Sequence, residues 1–486
     1  MYFLLTKQKM AKRGAIKNSS KNYHVSPSHR EGSRERKQKK IIFRTVQNIN
    51  VLKQTELHVH MGGCLTWYDF LELCKDEYSK IDWTLYFESY QKAYKRKPNL
   101  LKLTKEAQSG KEKDVSAFKN LFVCGTKDAG DFHKFQAKFN LLICLFRYYT
   151  KLNRYEEVIR KIVKSHKQEG IQYIEYRMLY PMDDVNEAIR FHLMHLKVFR
   201  EESDSSFTAK YIPGVPRNEV VRGTALIQKL MIENPQYADV IVGLDFCHVE
   251  EGYPPKTLRP LLQKFKYDKD CPIFKSLPIV YHVGESYYDK SIESAIRWCH
   301  EAAEMGFKRL GHCIALGLDP QIALNRKKNA HVFETVAERL DQIDYDLKNR
   351  ELLVTFGIDI NKKMYLQEKQ KLETFARNKL LKRTYNSKRL VELRKRQQFV
   401  LDRLAKLGTV IECCPTSNLK IGGVPNVKHH PIHNLLNSKV KLVICADDPG
   451  IFDCSLSSEI DWIIKHTKYK KEDLVKRLEN PFNFKL

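Results

Sequence analysis

Eight short β-type runs punctuate the chain in order, at residues 55–61, 171–176, 209–215, 240–247, 278–285, 309–316, 409–414 and 441–447. Most are separated by stretches with helical spacing, among them 155–169, 219–232, 291–305 and 433–436. Alternation of strand and helix predicts an α/β fold with a parallel sheet, and eight repeats of the unit predict a closed (β/α)8 TIM barrel. Two connections are overlong. The first runs from 62 to 169 and carries a lysine- and glycine-bearing piece near 95–130. The second runs from 319 to 407, and its second half has helical spacing with charged faces, read as a protruding helical pair. The expected layout is a basic, flexible tail over 1–48 and a single barrel domain over 49–486, with insertions at about 83–130 and about 325–405.

Charge sharpens this layout. The chain of 486 residues has a formal net charge of +27. Residues 1–44 hold 13 Lys/Arg against 2 Asp/Glu, net +11, and residues 362–403 hold 14 against 4, net +10. The body is therefore near neutral and carries two basic appendages. A basic body argues for nucleic acid more strongly than basic appendages do, so a nucleic-acid partner stays open without being favoured. For the 325–405 insertion a solvated hairpin is favoured over a homo-oligomer contact or a clamp on an anionic partner. Hydrophobic residues make up 42% of the chain and aromatics 11%, enough for a core and too much for a disordered chain. No run of eighteen apolar residues occurs, so no membrane span or membrane partner is expected. Twelve cysteines without a Cys-x-x-Cys pattern read as reduced, buried thiols, which points to the cytoplasm.

The chemistry-bearing residues gather at the C-terminal ends of the predicted strands, which is the catalytic face of such a barrel. His58 and His60 are two apart on the first strand, so both imidazoles face one side. His282 and Glu285 end the fifth, His312 lies in the sixth, and Asp447 and Asp448 end the eighth. Three imidazoles and a carboxylate suit one divalent ion of zinc type, with a position left for water. A glutamate three residues after a ligand can move protons. Each piece alone reads blandly: Asp447-Asp448-Pro449 as a turn, His312 as a satisfied core histidine. Their ordered placement across a barrel pattern is what carries weight.

With these pieces in place the sequence resembles the adenosine/AMP deaminase family of the amidohydrolase superfamily, as a divergent, prokaryotic-type member with long insertions. The matching segments are Glu56-Leu-His-Val-His60, His282-Val-Gly-Glu285, Arg309-Leu-Gly-His312, Cys414-Pro-Thr-Ser-Asn418 and Ala446-Asp-Asp-Pro449. Weaker matches are Tyr173-Ile-Glu-Tyr-Arg177 and Gly243-Leu-Asp245. The resemblance implies that His58, His60, His282 and Asp447 hold one Zn2+ per chain. It implies that Glu285 gives a proton to adenine N1, that hydroxide adds at C6, and that His312 orients or deprotonates that hydroxide. Asp448 would hydrogen-bond the ring near N7. The implied reaction is hydrolytic deamination of an adenine nucleoside or nucleotide to the inosine form plus ammonia.

Two departures bear on the substrate. Nucleoside-preferring relatives continue the first motif as His-Leu-Asp-Gly, whereas this chain reads His60-Met61-Gly62-Gly63. Without that aspartate the sugar 5′-hydroxyl loses a partner, a phosphate escapes repulsion, and the backbone N–H groups of Gly62 and Gly63 are free to face an anion. A 5′-phosphorylated (deoxy)adenosine is therefore favoured over free adenosine or deoxyadenosine. The other departure is His248, which stands where relatives carry a glycine against the purine edge and is a candidate for the ribose or a phosphate. Relatives with extra segments occur in anti-phage modules, which leaves a defence role thinkable. A two-metal cyclic amidohydrolase wants a lysine on the fourth strand, and 240–247 has none. The cytidine-deaminase signature is absent. A catalytically inactive scaffold that binds nucleic acid or protein through basic arms predicts a broken ligand set, and the set is intact.

Overall fold

The computed structural model describes residues 48–180, 184–267, 277–286, 289–326 and 331–486. The basic segment 1–47, expected as a tail, lies outside the described residues. Ten strands are described: β1 (Thr55–His60), β2 (Tyr173–Met178), β3 (Thr208–Pro216), β4 (Leu244–Cys247), β5 (Ile279–Val283), β6 (Arg309–His312), β7 (His331–Thr335), β8 (Leu380–Thr384), β9 (Val410–Cys413) and β10 (Lys441–Ile444). Eight of them pair in the order β1-β2-β3-β4-β5-β6-β9-β10, all parallel. The last strand meets the first just past its end. The His60 N–H donates to the Asp447 carbonyl at 2.7 Å, and the Asp447 N–H donates to the His58 carbonyl at 3.0 Å. These bonds close the cylinder and fix Asp447 beside both histidines.

The interior of the cylinder is ionic as well as apolar. Arg177 donates to Glu412 at 2.6 Å and lies 3.5 Å from Asp245. Arg309 reaches Glu412 at 2.7 Å and pairs with Glu175. All five side chains are buried. Charges so placed are tolerable only as a paired set, because desolvating each alone costs several kcal/mol. Outside the strands, helices such as Tyr155–Gln168, Val185–Glu202 and Ile292–Glu304 pack their apolar faces on the sheet. Their starts are capped as the sequence dictates: Asp184 accepts from the Asn186 and Glu187 N–H groups, and Ser291 from that of Ser294.

Both long connections are largely helical. The first runs through Trp67–Cys74, Thr84–Tyr94, Leu100–Ala107, Glu112–Phe122 and Phe132–Lys151. The second holds the two helices expected in its second half, but the latter of them does not protrude. Helix Ser387–Leu407 is the barrel's own layer before β9 and buries Leu390, Leu393, Phe399, Val400 and Leu404. Asn386 caps its start and Gly408, at φ +70°, ends it. Before it come helix Lys362–Glu373 and an antiparallel ribbon of β7 and β8. The dense Lys/Arg of this segment hid a five-residue apolar stripe at helical spacing. Among the described residues no helix is long and apolar enough to cross a membrane.

Candidate active site

Strand alternation places His58 and His60 on one side of β1, and the mouth of the barrel brings His282 from β5 against them. The Nε2 atoms of His58 and His60 are 3.3 Å apart, those of His60 and His282 3.2 Å, and those of His58 and His282 3.1 Å. Asp447 Oδ1 lies 3.6 Å from His58 Nε2 and 3.7 Å from His60 Nε2. Each buried imidazole has its other nitrogen occupied. His58 Nδ1 bonds Glu412 at 2.9 Å, and His282 Nδ1 bonds Asp245 at 3.0 Å. Those carboxylates accept the Nδ1 proton and leave lone pairs on Nε2, three of which then converge on one point. Three convergent lone pairs repel unless a cation lies between them. Tetrahedral nitrogen ligands of zinc at about 2.05 Å would be separated by about 3.3 Å, so the spacing fits. Burial also holds His58 well below the usual imidazole range and pulls His60 down to about 4, which keeps both rings in the unprotonated form that binds a metal. The carboxylate–histidine pairs are those that orient ligands at metal sites. The residues present therefore fit a single zinc-type ion.

The remaining predicted residues surround this cluster. His312 Nε2 is 3.7 Å from Glu285 Oε2, and its Nδ1 bonds Asn418 Oδ1 at 3.2 Å. Burial alone would lower His312, but the carboxylates of Glu285 and Asp447 outweigh it and hold the ring above its usual value. Glu285 is pushed up by burial, against the pull of His312. Asp448 is held far above the ordinary carboxyl range by burial and by the neighbouring carboxylates of Asp447 and Glu285. Asp447, although buried, stays low because His312 and His60 face it. Two adjacent aspartates are thus shifted in opposite directions, Asp447 down by the imidazoles and Asp448 up by burial and neighbouring carboxylates. Glu285 Oε1 and Asp448 Oδ1 are buried without a hydrogen-bond partner among the described residues, as expected of atoms that await a ligand. His60 is the one member of the triad with substantial exposure, at 31% of its side chain, which marks the open side.

Backbone geometry supports the same place. His248, His312, Cys313 and Asp447 have positive φ without being glycine, and all four sit at strand ends around the cluster. Strained φ values of this kind concentrate at functional sites. His248 is exposed and its carbonyl accepts from the buried Arg217, which also donates to the His282 carbonyl. Gly63 has no latitude: a Cβ there would lie 1.9 Å from Asp448 Oδ1. At Gly62 a Cβ would meet Phe139 Cζ at 3.0 Å, so an aromatic ring closes on that position.

Several site residues escaped the sequence reading. Glu412, Arg217 and Glu250 were not singled out, and Asp245 and Asn418 entered only as parts of weak or quoted motifs. The available signal was a charged residue inside an otherwise apolar β run, as at Glu412 within 409–414.

A family model described as adenosine deaminase matches residues 394–482. An adenine deaminase of Rhizobium leguminosarum bv. trifolii is 42% identical over 62 residues, 13% of this chain and 19% of the relative. The chain thus spans about a fifth of the length of the curated relatives it matches. Among solved structures, the apo N6-methyl-AMP deaminase of Arabidopsis thaliana superposes with a TM-score of 0.51 at 16% identity, over 90% of this chain and 92% of that one. Arabidopsis ADAL complexed with GMP gives 0.51 at 17% identity, over 90% and 93%. At such identities these likenesses speak to the barrel fold. The family model covers about a fifth of the chain, near its C-terminal end, and the solved structures agree with its barrel topology.

Proposed function

We propose that the chain is a zinc-dependent hydrolase that deaminates an adenine nucleoside or nucleotide to the inosine form plus ammonia. The observation that carries this reading is the convergence of three imidazole Nε2 atoms beside Asp447, with the buried Glu285 Oε1 and Asp448 Oδ1 left without a partner among the described residues. His58, His60, His282 and Asp447 would hold the ion. When bound, such an ion supplies Lewis acidity that makes hydroxide available near neutral pH.

The chain's own residues do the rest. Glu285, its carboxyl pushed up by burial, delivers a proton to adenine N1, which makes C6 electrophilic. His312, with its Nδ1 proton held by Asn418, uses Nε2 to orient the attacking oxygen and to take its proton. Asp448 in its neutral form donates to N7, an acceptor that an ionised carboxylate would repel. The C6–O bond forms, the C6–N bond breaks, and the amino group leaves as ammonia after it gains a proton.

A 5′-phosphorylated substrate is favoured. The carboxylate that would repel phosphate is absent at Gly62, and the Arabidopsis relatives named above are described with nucleotides. Product formation followed by mass change across adenine, adenosine, AMP, dAMP, ATP and dATP tests this, and turnover of adenosine alone ends the phosphate reading. Glu285→Gln should keep zinc and lose at least about a hundredfold in kcat. His282→Ala should lose the metal. Full activity in Glu285→Gln would remove the proton-transfer role.

A further inference from the structure

We propose that Glu250 is a positioning residue that holds the turn after β5 so that Glu285 points into the site. The inference rests on the reading of Glu285 as the proton-transfer group. Three successive backbone N–H groups end on the Glu250 carboxylate. The Gly284 N–H donates to Oε1 at 3.1 Å, the Glu285 N–H to Oε2 at 3.2 Å and the Ser286 N–H to Oε2 at 3.0 Å. Gly284 lies at φ +70°, a conformation that turns consecutive amides toward one point. Such a concavity ordinarily attracts an anion from solution. Here the protein fills it with a buried carboxylate of its own, 6% exposed.

The neighbouring contacts reinforce the same join. Glu251 accepts from the Ser286 hydroxyl, and Arg217 bonds the carbonyls of both His248 and His282. Segments 248–251 and 282–286 are therefore stapled together at both ends. Lys290 Nζ is 3.9 Å from Glu250 Oε1 and adds a compensating charge. Packing alone does not set the turn with this accuracy, since Glu285 itself retains 27% side-chain exposure and bonds no neighbour through Oε1. A carboxylate suits the task because both of its oxygens accept. A glutamine would present an NH2 group to one or two of the three N–H donors and push the turn outward. A displacement of about 1 Å at a reacting group can cost about a hundredfold in rate.

The test uses the full chain loaded with zinc and the best adenine compound of the panel above. Glu250→Gln should lower kcat by about 10- to 100-fold while KM stays within about threefold and zinc stays at the wild-type level. Wild-type kcat in Glu250→Gln overturns the proposal. So does a rate loss that comes with zinc loss or an equal rise in KM, the mark of a general structural role. If Glu250→Gln does not fold, Glu250→Asp keeps the charge but withdraws it by one methylene. That variant should again lower kcat selectively, and wild-type kcat would overturn the inference. Glu285→Gln run in parallel separates the two readings. Activity retained there removes the role of Glu285, whereas activity lost there but kept in Glu250→Gln removes only the role of Glu250.

Discussion

Asp447 and Asp448 are neighbours in sequence and opposites in chemistry. The imidazoles that face Asp447 hold its carboxyl below the usual range, whereas burial and the carboxylates beside it hold that of Asp448 well above it. Gly63 makes this possible, because any side chain there would occupy the position of the Asp448 carboxyl. Gly63→Ala should therefore displace Asp448 and lower kcat/KM by at least about a hundredfold, by loss of one donor to the purine and a shift of the ring. Zinc content, measured in parallel, should stay at the wild-type level because the metal cluster lies on other side chains. At this scale the candidate site groups were legible in the sequence: polar residues that close apolar strands stand out. Their partners were not. Glu412 supports His58 across 354 positions, and Asp245 supports His282 across 37. Nothing local marks such pairs, since each joins residues on different strands of the assembled barrel.

Helix Ser387–Leu407 shows how charge misleads at the level of the element. Read along the chain it is a solvated arm, yet its ends and buried cations tie it to the barrel. Arg389 Nε and the Tyr385 hydroxyl donate to the buried Glu293 at 2.6 and 2.7 Å, and Arg396 grips the buried Asp346 at 2.6 and 3.0 Å. Burial alone would raise Glu293, but Arg389 and Arg383 outweigh it and bring the carboxyl from the usual 4.5 to about 2. A folded-state value below the unfolded one means that the unfolded chain binds the proton more readily. The stability from this carboxylate is then complete above about pH 4.5 and drains away as pH falls toward 2, to a total of about 3 kcal/mol. Glu293→Gln should show a shallower fall in urea-unfolding stability from pH 5 downward than the native chain. An identical acid slope in both would show that the pair contributes nothing. The alternation of strands and helices was legible because period and length are local properties. The β7–β8 ribbon was not, because Leu380–Thr384 alternates exposed and half-buried residues that read equally well as a helix face.

Over the whole molecule, two positive segments account for most of the net charge, and one of them, 362–403, lies among the described residues. Within the 362–403 segment, helix Ser387–Leu407 joins the barrel's outer layer, and four arginines of the segment pair with Glu293, Asp346, Asp319 and Glu334. The other net +11 belongs to residues 1–44, which lie outside the described residues. The groups that form the candidate site all lie between His58 and Asp448, and the bonds that close the cylinder lie between His58 and Asp447. Removal of residues 1–44 should therefore leave kcat, KM and zinc content at wild-type values. The same deletion should lower affinity for a polyanion such as heparin and flatten its dependence on salt, because each lost cation removes a counterion-release contribution. Elution of the native and shortened chains from heparin at increasing salt measures that difference directly. Elution at the same salt would place polyanion binding on the barrel itself, and a fall in kcat would make the basic segment part of the enzyme's working structure.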